Sequence, residues 1–198
     1  VDLVVADRAG IRGAARQVKR PVTIPTVSLV RVLEAGGRRV GYIFFRNFVE
    51  PSHGALDDAF ATLAAAQVDD LVLDVRYNGG GLVGVAQHLA SLIGGVRTDG
   101  QVFARYVHND RNTYRNDVLR FDRRPGALSL ERLIVITTRA SASASELVVN
   151  ALTPFMPVVI VGDRTYGKPV GQYQVPFCDK LLAPVSFSMR NADGGGDF

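Results

Sequence analysis

Residues 141–172 read SASASELVVNALTPFMPVVIVGDRTYGKPVGQ, and this stretch decides how the middle of the chain folds. Apolar residues recur at helical spacing over residues 146–155, which predicts an amphipathic helix. The β-branched run at residues 158–161 ends at Gly162 and predicts a short buried strand. A helix therefore leads away from the serines and a strand returns towards them, so we expect the serines and the loop after Gly162 to meet.

The same stretch contains the parts of a serine-based hydrolase. A serine hydroxyl is a weak nucleophile near neutral pH, so a catalytic serine needs a proton acceptor beside it. Lys168 is the candidate acceptor, and Gln172 has both a donor and an acceptor with which to orient the lysine amine. Taken separately, a Ser/Ala run is also typical of close helix packing, and a Gly-Lys loop is also typical of a solvated turn.

A lysine amine accepts a proton only when it is neutral, and burial in apolar surroundings favours the neutral form. We therefore expect the site to be apolar and largely closed. The apolar residues 158–161 and Tyr166 are the candidate walls around Lys168.

A second segment, residues 70–82, reads DLVLDVRYNGGGL and predicts a buried strand that runs into a glycine-rich turn. Backbone N–H groups at the start of the next helix would favour a developing negative charge, which describes half of an oxyanion hole. The full phosphate-loop pattern is absent, and no Gly-x-Gly-x-x-Gly fingerprint with a downstream acid follows the strand. Nucleotide binding is therefore disfavoured.

Together the two segments resemble the C-terminal processing peptidases, also called tail-specific proteases. These are serine peptidases with a Ser-Lys catalytic dyad on a crotonase-like α/β core. The resemblance covers residues 27–198. It implies that Ser143, the middle serine of the run, is the nucleophile, that Lys168 is the general base and that Gln172 assists the lysine.

The resemblance also implies an oxyanion hole, formed by the backbone N–H groups of Ala144 and Gly80. Ser141 and Ser145 would then be structural. Three further side chains of the strand-turn segment match the family pattern, although Gly79 stands where the family often has proline: Asp74, Arg76 and Asn78.

The remaining sequence predicts an α/β fold, because strands and helices alternate along it. A hairpin is predicted first, followed by alternating elements, at residues 28–33, 39–45, 54–67 (helix), 71–75, 82–93 (helix), 102–107 and 181–189. From the resemblance we expect a crotonase-like (ClpP/crotonase) core in which helices flank a parallel or mixed sheet. The polar residues 109–124 predict either a surface loop or a rim over the cleft.

Two parts of the chain are expected to belong to different domains. Residues 1–5 predict a lone strand, and residues 8–27 have the irregular pattern of a linker. By resemblance, residues 1–26 are the remnant of a preceding domain, ending in the last strand of a PDZ domain, plus a linker. Residues 27–198 are then the peptidase core, which we expect to be truncated at its C-terminus after the glycines at 194–196.

Composition excludes several classes of function. The net charge of +4 is spread over both signs, which does not indicate nucleic-acid binding, and no apolar run approaches the length of a membrane span. Cys178 is the single cysteine, interpreted as a small buried residue or as half of a bridge to a cysteine elsewhere. The three histidines lack the spacing of a zinc site or of a Ser-His-Asp triad, so no metal and no cofactor are expected: His53, His88 and His108.

The sequence therefore predicts a serine endopeptidase. The resemblance implies that its substrates are the C-terminal tails of proteins and that it works in the periplasm or another extracytoplasmic space. Formation of a homo-oligomer stays open. Two alternatives remain: an inert binding or scaffold protein on the same fold, and a crotonase-type acyl-CoA enzyme, which would not require the Ser-Lys pair.

Overall fold

The structure, a computed structural model, describes residues 2–16, 18–20, 22 and 24–196. Its elements follow in chain order: β1 (Asp2–Ala6), β2 (Arg12–Arg16), β3 (Val27–Ala35), β4 (Arg38–Phe45), α1 (Ser52–Ala65), β5 (Asp70–Asp74), α2 (Val83–Gly94), β6 (Val102–Val107), β7 (Asp117–Arg120), β8 (Arg132–Thr137), α3 (Ala144–Leu152), β9 (Val158–Gly162), β10 (Val170–Gln172), β11 (Val175–Phe177), β12 (Lys180–Leu182) and β13 (Val185–Arg190). Short 3-10 turns lie at Gly95–Arg97 and Thr113–Arg115.

The main sheet has five strands in the order β3-β4-β5-β8-β9. β3 and β4 form an antiparallel hairpin, whereas the pairs β4–β5, β5–β8 and β8–β9 are parallel. Since parallel strands end at the same edge of a sheet, the loops that follow β5, β8 and β9 converge there. The predicted mixed α/β architecture is confirmed.

The hydrophobic core lies between one face of this sheet and the three helices. Strands β5 and β8 contribute alternate side chains that are fully or almost fully buried: Leu71, Leu73, Leu133 and Val135. α2 packs against both α1 and α3. The helices bury the stripes that their periodicity predicts, including Leu56, Phe60 and Leu63 of α1, Leu89 and Leu92 of α2, and Leu147, Val148 and Ala151 of α3.

A second, antiparallel sheet has the order β10-β13-β6-β7 and closes the other side of the cleft described below. It includes part of the segment 109–124, because β7 pairs with β6 as an edge strand. The strand predicted at residues 181–189 is in fact two strands, β12 and β13. They are separated at Pro184, which has no N–H to donate to a ladder.

The structure corrects the prediction of a lone strand and linker at the N-terminus. β1 pairs with β2 in an antiparallel hairpin, and the Asp7 carboxylate accepts the N–H groups of Ala9 and Ile11 in the turn between them. Val1 and three positions of the expected linker, 17, 21 and 23, lie outside the described residues, as do 197 and 198. The division into domains at residues 26 and 27 stays a prediction.

Two expectations about burial were wrong. β9 was expected to be buried, but it is the outermost strand of the main sheet, and Val159, Ile160 and Val161 are each about half exposed. An apolar run is the same in a central strand and in an edge strand, so the sequence pattern does not separate the two cases. Cys178, for which a buried position was one of two expectations, is exposed in the turn between β11 and β12, and a bridge to a cysteine elsewhere stays a prediction.

Candidate active site

The three converging loops line one cleft with a volume of about 750 Å³. The turn after β5 contributes Gly80, and the residue before α3 is Ser143. The segment between β9 and β10 contributes Lys168, and Gln172 is the last residue of β10. The structure therefore brings together four of the five predicted site residues around one cavity. The fifth, Ala144, is the first residue of α3 and follows Ser143 directly.

Ser143 is held in an unusual backbone conformation at the N-terminus of α3. Its φ of 56° and ψ of −114° are rare for a residue with a side chain, and such strained positions cluster at functional sites. Its N–H donates to Glu146 Oε2 at 2.6 Å, and its carbonyl accepts the N–H of Leu147 at 2.8 Å. These two bonds fix Ser143 at the rim of the cleft.

The flanking serines attach the serine run to the strand-turn segment. Ser141 Oγ donates to the carbonyl of Val75 at 2.7 Å, and Ser145 Oγ donates to the carbonyl of Asn78 at 2.9 Å. Both serine side chains are buried and neither lines the cleft. Their hydroxyls are thus committed to backbone acceptors, as expected for structural serines.

Glu146 connects the nucleophile's segment to the base's segment, and sequence reasoning gave it no role. Its carboxylate is buried, with 3% of the residue exposed. Oε2 accepts the N–H of Ser143 at 2.6 Å and that of Lys168 at 2.9 Å, while Oε1 accepts the N–H of Gly167 at 2.6 Å. The signal in the sequence was the Ser-x-x-Glu spacing of a helix capping box.

Lys168 is half-buried, and its amine is oriented as the sequence predicts. Nζ donates to Gln172 Oε1 at 3.1 Å, and Gln172 Nε2 in turn donates to the carbonyl of Ala183 at 2.5 Å. In the part of the chain that the structure describes, no hydrogen bond joins Lys168 to Ser143. The two side chains face the same cleft but are not in contact through a hydrogen bond.

The walls of the cleft differ from those predicted. Residues 158–161 do not line it, because β9 lies at the outer edge of the sheet, and Tyr166 is largely exposed. The apolar lining comes instead from the second sheet and from the segments before α1 and α2: Phe48, Val49, Leu82, Val83, Val170, Phe187 and Met189.

Asn78 organises the glycine turn. It is fully buried, its Nδ2 donates to the carbonyl of Phe45 at 3.0 Å, and its Oδ1 accepts the N–H of Gly80 at 3.0 Å. Its own carbonyl accepts the N–H of Ala142 at 3.1 Å, in addition to the hydroxyl of Ser145. Asn78 therefore binds both the turn and the serine run.

These contacts correct the expectation for Gly80, whose N–H is donated to Asn78 and is not free to bind an oxyanion in this structure. Gly80 does lie against the nucleophile: a Cβ on it would come within 2.7 Å of Ala144 N and 2.8 Å of Ser143 Cβ. The N–H of Ala144 has no acceptor among residues 2–16, 18–20, 22 and 24–196. It remains available at the helix N-terminus.

An ion pair between the exposed Arg76 and the buried Asp74 fixes the strand end before the glycine turn. Arg76 donates to both oxygens of Asp74, with Nη2 to Oδ2 at 2.7 Å, and Tyr42 OH donates to the same Oδ2 at 2.6 Å. Burial would raise the pKa of Asp74, but the hydrogen bonds from Arg76 and Tyr42 outweigh it and hold that pKa below its usual value. The cluster joins β4, which carries Tyr42, to the end of β5, and none of its three residues lines the cleft.

The histidines take no part in the cleft. His88 Nε2 lies 2.8 Å from Asp57 Oδ1, and His108 Nε2 lies 3.1 Å from Tyr173 OH. Both rings are buried, and within the described ranges neither hydrogen-bonds to Ser143. Those ranges hold no cluster of three or more metal-ligating side chains and no helix that is long and apolar enough to cross a membrane.

Comparison with known proteins finds carboxy-terminal-processing peptidases among the curated relatives. The C-terminal processing peptidase of the chloroplast of Tetradesmus obliquus is 30% identical over 181 residues, which are 89% of this chain and 37% of the relative. The carboxy-terminal-processing protease of Bartonella bacilliformis is 30% identical over 80% of this chain and 37% of the relative. The chain thus spans little more than a third of these relatives.

Among solved structures, a putative S41 protease from Bacteroides fragilis matches with a TM-score of 0.84 and 25% identity over 100% of this chain and 55% of that chain. The photosystem II D1 C-terminal processing protease shares the fold, with a TM-score of 0.69 and 23% identity over 98% of this chain and 51% of that chain. The sequence profile of peptidase family S41 matches residues 39–197 of this chain. The chain therefore belongs to peptidase family S41.

Proposed function

We propose that this chain is the catalytic part of a serine endopeptidase in which Ser143 is the nucleophile and Lys168 the general base. The observation that supports the proposal is the carboxylate of Glu146, which binds the backbone N–H groups of both residues and holds their segments on one cleft. Family membership does not favour an inert binding protein, and the acyl-CoA alternative has no specific observation behind it.

In the first half of the reaction, neutral Lys168 Nζ takes the proton of Ser143 Oγ, and the oxygen attacks the carbonyl carbon of the scissile bond. The C–N bond then breaks, the amine product leaves with the proton from Lys168, and an ester to Ser143 remains. In the second half, Lys168 takes a proton from water, the hydroxide attacks the ester, and Ser143 recovers its proton as the acid product leaves. Gln172 orients Nζ in both halves.

The oxyanion of each tetrahedral intermediate is assigned to the free N–H of Ala144. Gly80 becomes a second donor only if Asn78 Oδ1 gives up its hydrogen bond. A negatively charged oxygen is a stronger acceptor than the neutral amide oxygen of Asn78, so the oxyanion can compete for this N–H. Gly80 is thus proposed as a donor that exchanges Asn78 for the oxyanion during the reaction, which differs from the free donor that the resemblance implies.

The substrates are proposed to be the C-terminal regions of proteins, as the names of the relatives say of those proteins. An extracytoplasmic location and a preceding PDZ domain are carried over from the family resemblance in the same way. The crotonase-like nature of the core is likewise a proposal, supported by the mixed sheet.

The test is hydrolysis of an unfolded protein by the chain and by Ser143→Ala and Lys168→Ala, followed between about pH 6 and 10. We expect both variants to lose at least about a thousandfold in kcat, because each removes a reacting group. Ser129→Ala and Lys19→Ala, at exposed positions away from the cleft, are the matched controls. Unchanged hydrolysis by Ser143→Ala would refute the proposal.

A further inference from the structure

An apolar hairpin projects from the wall of the cleft. Residues 175–182, which we call the apolar arm, comprise β11, β12 and the turn between them, and among the residues that the structure describes these two strands pair only with each other. Phe177 is 69% exposed, Leu182 58% and Val175 48%. Contiguous exposed apolar side chains on a folded domain are usually a contact surface.

The register of the apolar arm collects these three side chains on one face. Val175 is paired directly with Leu182, and Phe177 lies two residues further along the same strand. Side chains two residues apart project from the same face, and cross-strand partners are neighbours on it. One face of the arm therefore carries Val175, Leu182 and Phe177 as an apolar strip, and Lys180, the cross-strand partner of Phe177, lies at its far end.

The apolar arm follows directly on the part of the cleft wall that contains Gln172, which accepts the hydrogen bond of the Lys168 amine. The cleft lining includes Tyr173 and Gln174 just before the arm and Ala183 just after it. The root is fixed to the site, because Gln172 Nε2 donates to the carbonyl of Ala183 and Tyr173 N–H donates to Ser186 Oγ at 3.2 Å. At about 3.3 Å per residue, Phe177 lies about 10 Å beyond Gln174 along the strand.

We infer that the apolar arm is a second contact surface for the polypeptide substrate and binds apolar side chains about three to five residues from the scissile bond. The inference rests on the proposed peptidase function. A substrate in the cleft that continues in extended form would run along this wall, and an unfolded protein offers the apolar side chains that the strip fits. A second copy of the chain fits less well, since three to four side chains are far below the roughly 800 Å² per partner of a stable interface.

Substrate length tests the inference. Phe177→Ser with Leu182→Ser should raise KM for an unfolded protein about tenfold and leave kcat unchanged, because apolar contact away from the reacting bond contributes uniform binding. An acetylated amino-acid ester, too short to reach the arm, should be hydrolysed with unchanged kcat and KM. Val96→Ser, at an exposed valine outside the cleft lining, is the control.

The single cysteine provides a readout that does not depend on catalysis. Cys178 is exposed at the tip of the apolar arm, so a benzophenone maleimide can be attached there in the Ser143→Ala background. Irradiation with an unfolded protein should crosslink apolar segments of that protein, and Phe177→Ser with Leu182→Ser should reduce the yield severalfold. The same label would then report binding even if the proposed hydrolysis failed.

Three outcomes would overturn the inference. They are a KM for the unfolded protein that changes less than twofold, an equal rise in KM for the ester, and crosslinks only between copies of the chain. The last result, with a sedimentation change in the double variant, would assign the apolar arm to self-association. Absence of Ser143-dependent hydrolysis in the unaltered chain would refute the proposed function instead, and crosslinking would still decide the contact surface.

Discussion

The two sides of the cleft are held in different ways. On the nucleophile's side, the hydrogen bonds that place Ser143 come from buried groups: Ser141, Ser145, Asn78 and Glu146. On the base's side, the Lys168 amine is held by Gln172, which is exposed, and Gln172 is held by the exposed Ala183. Buried hydrogen bonds fix geometry more firmly than exposed ones, because water competes less for their partners.

The difference suggests a fixed nucleophile and an adjustable base. Ser143 already has its strained conformation, whereas no hydrogen bond joins it to Lys168 in the described residues. Catalytic hydrogen bonds often tighten only when substrate binds. We therefore expect changes on the nucleophile's side to cost both stability and activity, and changes on the base's side to cost activity alone.

The largest effect is expected for Gly80→Ala. Gly80 has a φ of +94°, and a Cβ there would lie 2.7 Å from both Ala142 O and Ala144 N, so backbone must move. The free energy of unfolding should fall by about 3 kcal/mol, and kcat should fall at least about a hundredfold. Urea unfolding and peptide hydrolysis measure the two quantities.

Gly79→Ala is the matched control for this prediction, since nothing lies within 4 Å of a Cβ at that position. It should change the unfolding free energy by less than about 1 kcal/mol. Equal losses of unfolding free energy in the two variants would mean that the turn is sensitive to any added side chain. The close approach of Gly80 to Ser143 would then not be the cause of the loss.

Glu146→Gln should have the next largest effect. The amide keeps the shape of the side chain but replaces one acceptor oxygen with a donor, which faces backbone N–H groups. We expect a loss of about 2 kcal/mol in unfolding free energy, together with a lower kcat. Glu131→Gln, at a largely exposed glutamate paired with Arg38, should alter neither the unfolding free energy nor kcat. An equal loss of unfolding free energy in this control would contradict the role given to the buried hydrogen bonds of Glu146.

Acid should weaken the strand end before the glycine turn. The pKa of Asp74 is lowered on folding from an ordinary 3.8, so its stabilisation is complete above about pH 4 and is lost as the pH falls through the lowered pKa. Asp74→Asn should remove about 1.5 kcal/mol of stability at pH 7 and less in acid. Unfolding measured at several pH values checks this, and Asp58→Asn, at an exposed carboxylate, should not change the profile.

The smallest effect on stability is expected for Gln172→Ala. Its side chain is exposed, so the unfolding free energy should change by less than about 0.5 kcal/mol. Because the amide orients Nζ of Lys168, kcat should still fall about tenfold. Gln101→Ala, also exposed, is the control, and a stability loss as large as that of Glu146→Gln would abolish the contrast between the two sides.

Periodicity distinguishes helix from strand, and it predicted that the serine run and the loop with Lys168 and Gln172 meet; the family resemblance singled out Ser143 and Gly80. In the structure Ser143, Lys168, Gln172 and Gly80 line one cleft. Neither line of reasoning predicted that Asn78 holds the N–H of Gly80, since this hydrogen bond depends on how the turn closes. Nor did the apolar run of β9 reveal that the strand lies at a sheet edge, because its burial is set by what packs beside it.

Labelling with a fluorophosphonate, which reacts with activated serines, tests whether Ser143 is the nucleophile and whether Lys168 activates it. Mass spectrometry of the digested chain identifies the labelled residue. We expect one modified residue, Ser143, and no labelling after Lys168→Ala. Modification of Ser141 or Ser145, or labelling of Ser143 that persists in Lys168→Ala, would refute these two roles.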